Sequence, residues 1–204
     1  MTTTRLAGVC ALLSIWTLSS ACSKGADKAD SAAAADSAAK AAAAAPAPPP
    51  APPPLTDVNI VAILDAANAA DSAAGNVAST KGKHSDVKSF GRDMMRDHHA
   101  LRKAGQDLAK KLNLTPAMPA GDTSQAAAQT WQVTLTSTPA GDAWDKAYID
   151  HEVAYHQQVL DAVDKVLIPS ASNADLKALL VKVRPAFVAH LEHAKHVQAS
   201  LGAH

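Results

Sequence analysis

Four ionisable side chains interrupt otherwise apolar stripes: Asp71, His98, His156 and His190, one in each of four stretches with helical spacing. A buried polar group without a partner costs about 1–3 kcal/mol. These four must therefore satisfy one another, bind something, or sit at an edge. One carboxylate and three neutral imidazoles form a donor set for a single transition metal, with Zn, Cu, Ni or Fe all compatible. The same four can instead close a metal-free hydrogen-bond network that sets how helices register. The network is the first reading, because buried polar clusters in helical bundles often hold no metal; the metal site is the alternative.

Other groupings carry less. Met94, Met95, His98 and His99 include i,i+4 pairs in which thioether and imidazole would suit copper, but methionine on a helical stripe is ordinary core filler. His190, His193 and His196 step by three toward a His-rich end that includes His204, a pattern of solvated surface histidines. Glu152 and His156 form an i,i+4 pair, which reads as a helix-stabilising contact or as an acid/base couple. Asp93, Arg96 and Asp97 read as a solvated charged face. No Ser or Cys nucleophile stands beside a plausible base, so hydrolase chemistry has no support, and no catalytic residue is assigned.

The elements that position the four side chains are helices. Thr56 can cap a first helix near 56–80 that carries Ile60, Leu64, Ala67, Asp71, Ala74 and Ala78. A second, near 84–112, carries Val87, Phe90, Met94, His98, Leu101, Leu108 and Leu112, and Pro116 and Pro119 close it off. A long connection at 113–140 has room for a short helix capped by Ser124 and containing Trp131 and Leu135. A third long helix, near 141–167, offers Ile149, Val153, His156, Leu160 and Leu167 before Pro169 ends it. The last, near 173–201, has Leu176, Leu180, Val183, Phe187, His190, Ala194 and Val197, with a kink expected at Pro185. Each stripe has the spacing of a helix packed on others. Period-two strand runs and Gly-rich phosphate loops are missing, which excludes nucleotide-binding folds. The expectation is all-α: a four-helix bundle with a long crossover between its second and third helices. His98 and His156 lie about 14 residues past the starts of their helices, and Asp71 and His190 roughly 9–11 before the ends of theirs. The depths agree if the first helix runs with the last and the second with the third.

Several segments, namely Ala66–Asp71, Val87–Gly91 with Met94 and Asp97-His98, Trp144-Asp145 with Ala147-Tyr148 and His156, and Arg184-Pro185 with His190-Leu191, resemble the bacterial family called "domain of unknown function 4142". The likeness covers most of 58–200. It implies a ferritin-like helical bundle in the cell envelope, with Asp71 where many members have Glu and His98, His156 and His190 at the family's usual histidines. It implies no activity. Glu152 departs from the family, which often has an apolar residue there. A ferritin-like di-iron oxidase needs a Glu three residues before its histidines. Met95, Val153 and Phe187 stand there instead, so two irons lack their bridging carboxylates.

Ahead of the helices, Arg5, the apolar run Leu6–Leu18 and Ser19-Ser20-Ala21 follow the grammar of a secretory signal, so 1–21 is expected to be removed. Its apolar stretch, roughly 13 residues, is shorter than the ~20 a membrane span needs. Cys22 after three small residues resembles the acylated cysteine of a bacterial lipobox, although Ser19 stands where Leu, Val or Ile is preferred. Ordinary cleavage near Ala21 is the alternative. Ser23 resembles the outer-membrane sorting rule, which places the protein in the periplasm on a lipid anchor at Cys22. Residues 22–54 then read as a tether, with seven prolines between Pro46 and Pro54. Polyproline II geometry makes that piece a spacer of about 28 Å. A Pro-rich ligand for a recognition domain is the sharper alternative. The domain proper is 55–204.

Composition agrees. Of 204 residues 48% are hydrophobic and only 3% aromatic, which favours helix over sheet. Lys+Arg and Asp+Glu both number 19, which gives no case for nucleic acid. Two cysteines allow at most one bridge. Protein partners are not legible. Two roles stand side by side: a tethered structural or stress-related envelope module, and a metal-binding module for storage, buffering or sensing.

Overall fold

The computed structural model describes residues 54–202, within the unit Pro52–His204. The expected signal, Cys22 and almost all of the tether lie outside the described residues. Five helices make up the domain: α1 (Asp57–Lys81), α2 (Ser85–Lys111), α3 (Ser124–Ser137), α4 (Asp142–Ala162) and α5 (Ala174–Leu201). No strand occurs among the described residues.

Local chemistry sets the ends. Thr56 and Asn59 form a reciprocal capping box at the start of α1. Asn173 accepts from the amides of Asp175 and Leu176 to open α5. Replacing it by alanine should lower stability by about 1 kcal/mol, seen as an earlier urea midpoint at unchanged slope. Ser124 is the first residue of α3 rather than its cap; the Asp122 carboxylate accepts from its amide at 2.8 Å.

Proline acts differently from expectation at one place. Pro169 does not end the third long helix at 167. The five residues Val163–Leu167 widen into a π-turn, in which the Ile168 amide donates to the Val163 carbonyl, and helical structure continues as Ile168–Ser170. Proline lacks an amide hydrogen and crowds the carbonyl four residues back; a wider turn relieves that crowding. Within α5 the helix runs on through Pro185. Pro185 and Val181 are both on the exposed face, where the Val181 carbonyl that loses its helical partner is open to solvent.

Hydrogen bonds between helix ends define the directions. Asp57 accepts from the amides of Ser172 and Asn173, just ahead of α5. Asp145, fully buried in the first turn of α4, accepts from the amides of Lys83 and His84, just ahead of α2. Thus α1 runs with α5 and α2 with α4, as the matched depths of the four polar residues require.

The apolar core is in two parts. One holds Ile60, Leu64, Leu160, Leu176, Leu180 and Phe187. The other holds Phe90, Met94, Trp144, Tyr148, Ala194 and Val197. The residues between these sets on each long helix form a polar layer across the middle of the domain.

Helices α1 and α2 come into backbone contact at Gly75 and Gly91. A Cβ on Gly75 would lie 2.6 Å from the Gly91 carbonyl oxygen, and one on Gly91 would lie 2.7 Å from that of Gly75. Backbone meets backbone there, one turn from Asp71 and two turns from His98.

Candidate metal centre

All four expected residues are in the polar layer: Asp71 on α1, His98 on α2, His156 on α4 and His190 on α5, each buried. His98 Nε2 is 2.9 Å from Asp71 Oδ2, and His156 Nε2 is 3.4 Å from the same oxygen. The imidazole centroids of His98, His156 and His190 are 4.9–5.5 Å apart. One ligand nitrogen from each of these rings lies within 4.8 Å of the others. A tetrahedral ion with bonds near 2.1 Å keeps its nitrogens about 3.4 Å apart, so the rings would close by no more than about 1.4 Å. Asp71, Glu152 and His156 make a second convergent set that shares His156 with the first.

Each ring has one nitrogen engaged and one unspent. Asn68 donates from Nδ2 to the Leu64 carbonyl, which leaves its Oδ1 to accept from His98 Nδ1 at 2.8 Å. His156 Nδ1 donates to the Glu152 main-chain carbonyl at 3.0 Å. His190 Nε2 donates to Asp97 Oδ2 at 3.2 Å. The other nitrogens, His98 Nε2, His156 Nε2 and His190 Nδ1, make no hydrogen bond, and neither does Asp71 Oδ2. Outer carbonyl or carboxylate partners that fix the tautomer and aim the free lone pair inward are the usual support of metal-binding histidines. A carboxylate oxygen and an imidazole lone pair 2.9 Å apart repel unless a proton or a metal cation stands between them.

A family described as "Domain of unknown function (DUF4142)" matches residues 26–197. The chain belongs to that family. No curated protein matches it. Among solved structures, this DUF4142 chain is similar in fold to CopM in the Cu(II)-bound form, with 14% identity over 72% of this chain and 98% of that one and a TM-score of 0.53.

Electrostatics divide the layer. Burial lowers His190 to about 4, helped by the neighbouring His98. Burial likewise lowers His156. Asp71 is pushed up by burial, but the facing His98 and His156 outweigh this and hold it well below the usual carboxylate range. Glu152 goes the other way, raised by burial and then by the charge of Asp71. The sign of the pH dependence follows. Between pH 6.5 and about 4 the unfolded chain carries a proton at residue 190 that the folded chain does not, so the His190 contribution to stability is lost as pH falls. From pH 7 to 5 this amounts to roughly 1–2 kcal/mol. Glu152, raised in the fold, contributes with opposite sign over the same range. Comparison of urea midpoints for wild type and His190→Gln at both pH values isolates the histidine: the variant should lose less stability on acidification.

Several participants were not legible as such. Asn68 is within the Ala66–Asp71 segment, three residues before Asp71 on the same helix face, yet it breaks no stripe that would mark it. Asp97, read as part of a solvated face, holds His190. Glu152 is not merely a helix-surface contact: it is 1% exposed, and Oε2 is 3.4 Å from His156 Nδ1. The other groupings separate. Met94 is in the core while Met95 and His99 are exposed, so they form no joint site. His193 packs its ring edge against Phe90, His196 is exposed, and His190 is buried apart from both.

Proposed function

We propose that the domain holds a single transition-metal ion on His98, His156 and His190, with Asp71 as the fourth ligand, and serves in metal storage, buffering or sensing. One observation carries this reading: buried imidazole nitrogens from three helices converge within 4.8 Å, and the buried Asp71 carboxylate of a fourth helix stands 2.9 and 3.4 Å from two of those rings. A metal-free network that sets helix register is favoured by the Asn68–His98 and His190–Asp97 bonds. Those bonds use only the outward nitrogens, however, and even with a proton closing the 2.9 Å contact between His98 and Asp71, His156 Nε2 and His190 Nδ1 have no hydrogen bond. Zn, Cu, Ni and Fe all suit the donor set. The fold likeness to a protein solved with Cu(II) bound puts copper first among them.

The four long helices read as a ferritin-like four-helix bundle, with the 113–140 crossover, which contains α3, spanning its length. The domain is taken to be exported, anchored in the outer membrane through an acylated Cys22 and held off in the periplasm by the 22–54 tether. Metal analysis of protein purified without a histidine tag tests the central claim. About one equivalent of one metal per chain supports it, and loss of that equivalent in His98→Ala assigns it to the layer. A metal-free protein that takes up none of the four ions overturns it.

A further inference from the structure

The ligand atoms of the polar layer are shut away from solvent. His98 Nε2, His156 Nε2, His190 Nδ1 and Asp71 Oδ2 are all buried, so an ion reaches them only when some element of the fold moves aside. The four long helices are poor candidates. Each buries six or more residues, and displacing one would open the core. Helix α3 differs: Leu135, near its end, is its one buried residue. Between Ser124 and Thr130 every residue but Ala128 is exposed. The Ser124 and Thr130 hydroxyls bond to Asp122 and Ala126 of the same stretch. Segments with few buried apolar contacts are the ones that open at low cost in free energy.

The far end of α3 is pinned. Lys81 Nζ and Trp144 Nε1 both donate to the Leu135 carbonyl, at 2.6 and 2.9 Å. Between the loose start and the pinned end, Trp131 stacks on His151 of α4, with ring centroids 4.0 Å apart and planes 20° from parallel. Beneath α3, a cavity of about 240 Å³ lies between it, α1 and α4. Its lining runs from the exposed Ser124, Ala127 and Gln158 to the buried Asp71. Of the four expected ligands Asp71 alone lines it, and its Oδ2 contacts His98 and His156. An ion arriving from this side meets Asp71 first and the imidazoles next.

We propose that α3 is a lid, hinged at Leu135 and latched by the Trp131–His151 stack, whose opening admits the metal ion through this cavity to Asp71. Such a lid serves the metal centre proposed above and rests on that reading. It sets rates rather than affinity. Loading and release both scale with the open fraction, and their ratio is unchanged because the bound ion does not touch α3.

Stopped-flow mixing of the full chain with Cu(II), and of the loaded chain with excess EDTA, reads both rates from tryptophan emission, with Trp144 as reporter where Trp131 is replaced. Trp131→Ala should raise loading and release together, by about ten-fold, at an unchanged dissociation constant. Damage to packing alone would speed release without speeding loading. Amide exchange of the metal-free chain is a second readout: α3 should exchange about ten-fold faster than α1 and α4, and faster still in Trp131→Ala. Equal loading rates in wild type and Trp131→Ala overturn the lid and spare the metal reading, as does exchange in α3 as slow as in α1. Loading accelerated by Asp97→Ala but not by Trp131→Ala puts the entrance at the His190 edge and overturns the lid too. Failure of both wild type and Trp131→Ala to take up Cu(II) overturns lid and metal centre together.

Discussion

Cu(II) or Zn(II) at a hundred-fold excess over its dissociation constant raises the melting temperature by roughly 5–10 °C, and His98→Ala removes the rise. An ion that binds only the folded state at that excess adds about 2.7 kcal/mol, and for a domain of this size each kcal/mol moves the midpoint by a few degrees. His98 is the most telling position because Asn68 already fixes its tautomer and aims its Nε2 at Asp71. The alanine variant leaves that carboxylate facing an empty space, so the metal-free protein is itself destabilised, by about 3 kcal/mol or more. Calorimetric scans of both proteins with and without metal separate the two effects. His190→Ala, at the more accessible edge, provides a second test with less damage to the fold and should at least halve the shift. An equal metal-induced rise in wild type and both variants places the ion elsewhere.

Gly91→Ala should be among the most damaging single-methyl additions in the domain. An exposed helical glycine gains up to about 1 kcal/mol when replaced by alanine. At residue 91 the new methyl meets the Gly75 carbonyl oxygen at 2.7 Å and the Ser79 amide nitrogen at 2.7 Å, both backbone atoms that cannot rotate away. The helices must separate, at a cost of about 1–3 kcal/mol or more. Urea denaturation reads that cost. Separation also draws Asp71 and Asn68 on α1 away from His98 on α2, so the metal shift should shrink together with stability. Gly105→Ala on the same helix, where an added methyl meets nothing within 4 Å, is the control and should be neutral or slightly stabilising.

Much of the fold was legible because the signals were local. The 3.6-residue spacing of Ile60, Leu64, Ala67, Asp71 and Ala74 specifies a helix and its buried face whatever packs against it. Thr56 marks a boundary by its own side chain, which accepts from the Asn59 amide. Where a local rule had a tertiary escape, expectation and structure parted. Pro169 was expected to stop a helix that instead widens into a π-turn and goes on.

By itself, then, the sequence determined four long amphipathic helices, the helical spacing that buries each stripe and the single polar residue in each, which is why Asp71, His98, His156 and His190 could be named in advance. Tertiary contacts alone settle which nitrogen of each imidazole is engaged, that Asn68 and Asp97 hold two of those rings, and that Glu152 joins the layer. The physical reason is range. Periodicity is a property of neighbouring residues on one helix, whereas the aim of a lone pair depends on partners such as Asn68 and His98, 30 residues apart along the chain and 2.8 Å apart in space.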